Sequence, residues 1–316
     1  MIPLLFPFLA DTVIAPPPDF EDIFVNEWGV VVFTSEGTTV AGAPGENGTL
    51  FFGRAPYGEL MVDAPVIWIH GAFFNNGTFT VRANQGELTA IYPEGFTTDD
   101  ENFSRVATWN ISAPPPIPFL ERPDPPESEG VPFAWAMPFW RDVPSRDLFL
   151  TDTDEYLGNF LYYEAGIFLW QPPDQIYDAG SLAGYYSPEG LSVTTGDEPL
   201  VQRIQLVPLP DGSGGNRIGE PLDDQEVCEV ICDWAGGNLK SQEIEALWNT
   251  WKPFFRTEAI CDEIAMDRRG QGERWILFPL PWDEVERISS IHLEIENWQG
   301  GTIQYNRLFL GLVRAY

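Results

Sequence analysis

Short apolar runs interrupted by Gly, Pro and Asn recur along most of this chain, and many of them alternate apolar and polar residues with a period of two, as half-buried strands do. Residues 25–34 (Val-Asn-Glu-Trp-Gly-Val-Val-Val-Phe-Thr) form one such run. In residues 66–70, Val66, Trp68 and His70 share one face while Ile67 and Ile69 share the other, which predicts a strand covered on both sides. Phe79, Val81 and Ala83 alternate with Thr80 and Arg82, and the turn residues 84–87 suggest a hairpin return through Leu88 to Tyr92. Later runs at 159–166 and 200–209 repeat the pattern. Near the end, Ile291, Leu293 and Ile295 precede a Gln299-Gly300-Gly301 turn and a returning strand over 303–313, read as a second hairpin.

One segment departs from this rhythm. Ile244, Leu247, Trp248 and Trp251 recur at three- and four-residue spacing, with Ser241 as N-cap, Glu243 and Glu245 at the positive end of the helix dipole, and Pro253 as the stop. The spacing predicts a helix over 241–252. Residues 113–132 are dense in proline, which fixes φ and offers no amide donor, so that stretch is expected to be a crossover or linker. The predicted fold is mainly β, an antiparallel β-sandwich-like architecture with one amphipathic helix in the C-terminal half. Its parts are a candidate signal segment (1–15), a β-sandwich-like region (20–112), the crossover (113–132) and a second β-rich region (133–316).

Composition changes the picture chiefly through charge. Forty-eight acidic residues face 17 basic ones, only two of them lysines (Lys240 and Lys252), for a formal net charge of −31 on 316 residues. Such a field repels nucleic-acid phosphates and anionic headgroups, so nucleic acid is excluded as a partner and cations or basic and neutral partners remain. The 44% hydrophobic content with 12 Trp, 10 Tyr and 22 Phe is that of a chain that buries a large core. The apolar start ending near Ala15 reads as the hydrophobic part of a secretory signal, and no later stretch reaches the length of an apolar membrane-spanning helix. Export to the cell envelope or exterior is therefore expected. In that setting Cys261 would pair with Cys228 or Cys232, closing a loop worth roughly 3–4 kcal/mol; the sequons beginning at Asn47, Asn76, Asn102 and Asn110 would matter only in a glycosylating host.

Residues 26–30 (Asn-Glu-Trp-Gly-Val), 64–68 (Ala-Pro-Val-Ile-Trp), 160–166 (Phe-Leu-Tyr-Tyr-Glu-Ala-Gly) and 245–251 (Glu-Ala-Leu-Trp-Asn-Thr-Trp) resemble, in the same order, segments of a family of exported bacterial proteins with no assigned activity. The resemblance implies an exported β-rich fold and no particular chemistry. It departs at Glu164, where the family favours Arg.

Candidate chemistry is sparse. His70 and His292 both lie in alternating strands, where a hydrogen-bonded structural role is the commoner one, and no Gly-x-Ser-x-Gly elbow is present. Asp152, Asp154 and Glu155, with Asp223-Asp224 as a second cluster, concentrate hard oxygen ligands in turns and are the candidate calcium ligands. Glu164, Glu294 and Glu296 are the least surface-like carboxylates for a glycan- or peptide-cleaving site. Trp135, Trp140, Trp282 and Trp298 lie near Pro- or Gly-rich turns and are the candidate ligand-binding aromatics, whereas Trp68, Trp248, Trp251 and Trp275 fit a core. The leading expectation is a non-enzymatic binding or scaffolding module, cation-dependent and with a glycan, peptide or envelope-protein partner; the alternative is a secreted carboxylate-dependent hydrolase.

Overall fold

The computed structural model describes residues 22–33, 40–44, 50–53, 60–84, 86–100, 103–116, 123–167, 182–187, 190–195, 223–256, 274–280 and 282–315. Among these residues sixteen strands run in chain order: β1 (Ile23–Phe33), β2 (Val40–Pro44), β3 (Leu50–Gly53), β4 (Leu60–Gly71), β5 (Phe74–Ala83), β6 (Gly86–Tyr92), β7 (Phe96–Asp100), β8 (Phe103–Ala113), β9 (Leu148–Leu150), β10 (Tyr156–Gly158), β11 (Leu161–Ile167), β12 (Leu182–Ser187), β13 (Gly190–Thr195), β14 (Arg274–Pro279), β15 (Ser289–Ile295) and β16 (Ile303–Ala315). Among the described residues four α-helices accompany them: α1 (Met137–Arg141), α2 (Asp224–Trp234), α3 (Ser241–Arg256) and α4 (Trp282–Ile288).

Eight strands build one sheet in the order β13-β12-β14-β16-β1-β4-β11-β6, and a second sheet runs β10-β9-β8-β5-β15 with β7 also on β8. Every pairing is antiparallel except β1 with β16, which runs parallel from Ile23 opposite Ile303 to Phe33 opposite Val313. The fold is thus the mainly β, antiparallel-rich sandwich that the alternation predicts. Strand periodicity then sorts the side chains of the large sheet. Ile23, Val25 and Val31 of β1, Ile67 and Ile69 of β4, Leu161 and Tyr163 of β11 and Phe309 of β16 face the second sheet, meeting Phe79, Val81, Trp109, Ile111 and Leu293. Trp28, Val30, Val66, Trp68, Tyr162, Leu308 and Leu310 point the other way and are roofed by Met137 and Trp140 of α1, Val227 and Ile231 of α2, and Ile244, Leu247, Trp248 and Trp251 of α3. The result is three layers, helices on sheet on sheet, and the central sheet is buried on both faces, as the 66–70 pattern predicts.

Neither expected hairpin forms. β5 pairs with β8 and β15 in one sheet while β6 pairs with β11 in the other, so the chain changes layers between the end of β5 and the start of β6. Likewise β15 pairs with β5, whereas β16 joins β1 and β14. Alternation fixes which residues face the core but not which strand supplies the hydrogen bonds, and an arch across the sandwich buries the same face that a hairpin would. At the second arch the Trp298 indole donates to the Gly301 carbonyl at 2.8 Å, and a Cβ at Gly300 would collide with that ring. Strands from both sides of residues 113–132 interleave in both sheets, so the proline-rich stretch does not divide the chain into a β-region and a successor; of its described residues, 113–116 and 123–132, only Ala113, the end of β8, belongs to a strand.

The helical layer differs from expectation in two ways. α3 continues beyond Pro253 to Arg256, so the proline, which withholds its own amide, does not end the helix as the spacing predicts. Its first residue is Ser241, whose hydroxyl donates to Gln242 at 3.3 Å, while the Glu243 carboxylate accepts the Lys240 amide at 2.6 Å and does the capping. Asp223 and Asp224, read as a turn cluster, open a second amphipathic helix: the Asp223 carboxylate accepts from the Glu226 amide, and Glu226 accepts from the Asp223 amide, a capping box at 2.9 and 2.8 Å.

Candidate functional site

Adjacent polar residues on the parallel pair β1/β16 project to opposite faces of the central sheet. Asn26 lies opposite Asn306, and Glu27 opposite Arg307. On the sandwich side, Arg307 is bonded to Glu27 with both side chains wholly buried, reaches Glu286 at 2.6 Å, and donates to the Ser289 hydroxyl and carbonyl at 2.8 and 2.9 Å. Tyr163 donates to Glu27 at 2.8 Å. Burial pushes the Glu27 carboxyl up and the neighbouring guanidinium opposes that push; at Arg307 burial pulls the guanidinium down, but the charges of Glu27 and Tyr163 together with the hydrogen bonds to Glu27 and Glu286 outweigh it and hold Arg307 up. With its donors and acceptors met inside the core, this network locks the two sheets together.

On the helix side, Asn306 donates to Asn26 at 2.9 Å and Asn26 donates to both oxygens of Glu243 at 3.1 and 2.9 Å. His70 Nε2 meets the same carboxylate at 2.6 Å, and its Nδ1 lies 2.8 Å from Lys240 Nζ. Glu243 is 0% exposed and His70 5%, whereas Lys240 is open to solvent. A single carboxylate therefore ties α3 to β1 and β4. Asn26 and His70 lie far in sequence from Lys240 and Glu243, and only the polar interruption of an apolar strand at 26–27 hints at the arrangement.

The cavity of interest lies between α2 and α3. A groove of about 560 Å³ is lined by Asp224, Gln225, Cys228, Glu229 and Cys232 of α2 and by Ser241, Ile244, Glu245, Trp248 and Asn249 of α3. Ile244 and Trp248 form its floor and are anchored in the core below; the Trp248 indole donates to Asp224 at 2.9 Å. Asp224, Glu229 and Glu245 supply three carboxylates, and among the described residues no Lys or Arg lines the groove; Lys252 stands 3.7 Å from Asp224 at the periphery. Burial first, then the charges of Glu245 and Asp224, push the Cys228 thiol up to about 11, so it stays protonated and neutral at physiological pH.

The residues singled out in the sequence disperse. Asp152, Asp154 and Glu155 are exposed in the turn before β10, and no group of three or more His, Cys, Asp or Glu side chains suited to an ion occurs among the described residues. Asp223 and Asp224 serve the α2 terminus instead. Trp140, expected near an exposed turn, is wholly buried: it stacks on Tyr162 at 5.2 Å, packs edge-on to Phe160 and donates to Thr250 at 2.9 Å. The short α1 helix turns it inward, a placement that neighbouring prolines conceal in sequence. Trp135 and Trp298 are half-buried, and Trp282 is 50% exposed. Trp68, Trp248 and Trp251 are core, as expected, and Trp275 has its side chain outside the described set.

Glu164 is buried on β11 and accepts from the Tyr162 hydroxyl; burial, partly offset by that hydrogen bond, raises it from 4.5 to about 7. Glu294 is exposed on β15 in the other sheet, and Glu296 is exposed just beyond it. These three carboxylates do not converge on one cleft, the arrangement that paired-acid hydrolysis requires. Cys228 and Cys232 carry free thiols, and Cys261 lies outside the described residues, as do residues 1–21 and the run at 200–209. His292 is exposed. No described helix is long and apolar enough to cross a membrane. Comparison with protein-family models, curated proteins and solved structures returns no match.

Proposed function

We propose that this chain is a non-enzymatic binding module of the cell envelope or exterior, and that the groove between α2 and α3 receives a cationic, amphipathic polypeptide segment from its partner. The observation that carries the reading is the lining of the groove: an aromatic and aliphatic floor, two thiols and three carboxylates with no basic residue among the described lining residues. An apolar floor rewards burial of an apolar side chain, and the carboxylates favour Lys or Arg on either side of it. The formal charge of −31 adds a long-range field that draws such a segment in and turns acidic ones away. Rigid helices seated on a doubly covered sheet present the groove preformed, which lowers the ordering cost of binding.

Isothermal titration with a short Lys- and Trp-containing peptide tests the reading against a twin in which each Lys is replaced by Glu. The basic peptide should bind, the acidic twin should not, and the double variant Glu229→Gln/Glu245→Gln should bind about tenfold more weakly, as loss of two part-exposed ion pairs implies. Equal binding of both peptides, or an unchanged affinity in the double variant, would rule out the groove as a cation-selective site.

A further inference from the structure

We infer that Lys240 is an activated amine, a site at which this protein takes up an acyl group from an ester or thioester, with His70 as the base that receives the proton. The inference is independent of the groove and rests on a three-member line of side chains. Lys240 Nζ lies 2.8 Å from His70 Nδ1, and His70 Nε2 lies 2.6 Å from Glu243 Oε1. The carboxylate is fixed in turn by two hydrogen bonds from Asn26 and by the Lys240 amide at 2.6 Å. A nucleophile, a base and an oriented anion in hydrogen-bond sequence is the general arrangement that activates a weak nucleophile. Here the anion demands a hydrogen on Nε2, which leaves Nδ1 of the neutral ring as an acceptor facing the amine.

The surroundings favour the free amine. Burial holds Lys240 below its ordinary value; the charge of Glu243 opposes this and the guanidinium of Arg146 reinforces it. Arg146 is held in place by its Nε donating to the Gly71 carbonyl at 2.8 Å, at the end of the strand that carries His70. Lys240 remains reachable from solvent although His70 and Glu243 are enclosed, so an acyl donor can approach the amine but not its base.

The step balances without a cofactor. The Lys240 ammonium passes one proton to His70 Nδ1, and the imidazolium formed is stabilised by Glu243. The free amine attacks the acyl carbon, a C–N bond forms and the C–O or C–S bond to the leaving group breaks. The second amine proton leaves with the departing alcohol or thiol, and His70 returns its own proton to water. Lys240 and His70 touch the reacting atoms; Glu243 is a positioning residue. The product is a neutral amide on Lys240.

The chain provides its own control, because Lys252 is the other lysine and is partly exposed, with its amine bonded to Asn249 at 2.7 Å. The native full-length protein is treated with limiting sulfosuccinimidyl acetate, and acetylation at the two lysines is read by peptide mass mapping. At neutral pH Lys240 should react about tenfold faster than Lys252, and the two rates should converge in concentrated urea. The ratio should also fall steeply as pH is raised until both amines are free, whereas greater exposure alone gives a ratio that does not change with pH. A ratio near one at neutral pH, or a raised ratio that stays flat with pH, overturns the inference. His70→Gln, checked for folding by circular dichroism, should bring Lys240 down to the rate of Lys252; a folded variant with the ratio intact overturns it as well. If that variant does not fold, the pH dependence in the unmodified protein decides.

Discussion

Replacing Glu164 by Gln should stabilise the protein at alkaline pH and do little in mild acid. The carboxyl is buried on β11 with the Tyr162 hydroxyl as its partner, and burial lifts it from 4.5 to about 7. A carboxyl raised in the folded state contributes stability that is fully present below its unfolded value of 4.5. That contribution is lost as pH rises toward about 7, after which the loss levels off. The gap converts to about 3 kcal/mol at most, at 1.36 kcal/mol for each tenfold change in proton affinity. Gln keeps the acceptor oxygen and the shape without the ionisation, so its advantage over Glu should grow by about 2–3 kcal/mol between roughly pH 5 and pH 8.5. For a chain of 316 residues that is a widening in Tm of roughly 3–5 °C. Paired melting curves of the parent and variant read the difference directly, and the general effects of net charge cancel between them. A gap of equal size at both pH values would mean that Glu164 is already ionised, or is solvated, in the folded protein.

Three further outcomes follow from the same structure. Glu243→Ala strands the Asn26 amide, His70 Nε2 and the Lys240 backbone amide without their shared acceptor, and should cost about 3–5 kcal/mol in urea unfolding; a loss below about 1 kcal/mol would show that water replaces the carboxylate. Gly300→Ala forces the Trp298 ring from its place and breaks its bond to the Gly301 carbonyl, so a loss of about 1–2 kcal/mol is expected by the same assay, and an unchanged midpoint would contradict the tight arch. With a formal charge of −31, the melting temperature should climb as sodium chloride is raised from about 0.01 to 1 M, where the Debye length falls to about 3 Å; a flat response would mean that the acids are spaced too widely to repel one another.

The faces of the central strands were legible because burial on both sides leaves an unbroken apolar run: Val66, Trp68 and His70 did fall on one side and Ile67 and Ile69 on the other. Partner choice was not legible. The parallel pairing of β1 with β16 joins residues 280 apart, and the arches between β5 and β6 and between β15 and β16 carry the same turn residues that a hairpin would. The helix beginning at Ser241 declares itself by its spacing, while α2 was hidden by an acidic start that reads equally well as an ion-binding turn. The polar clusters were harder still. Asn26 and Glu27 stand side by side in sequence yet serve different layers, and each acquires its meaning only from a residue more than 200 positions away, Glu243 in one case and Arg307 in the other. Trp140 is hidden for a related reason: local proline density signals a turn, but the direction in which a short helix then points its indole is set by the aromatic bed of Trp28, Phe160 and Tyr162 beneath it.

The groove between α2 and α3 is the centre of the functional account, and amide hydrogen exchange with and without a saturating Lys- and Trp-containing peptide tests it most directly. Exchange should slow over Asp224–Trp234 and over the first half of α3, with the edge strands β6 and β15 unchanged. Protection confined to a sheet edge, or no protection of α2 and α3 under conditions where the peptide is bound, would contradict it.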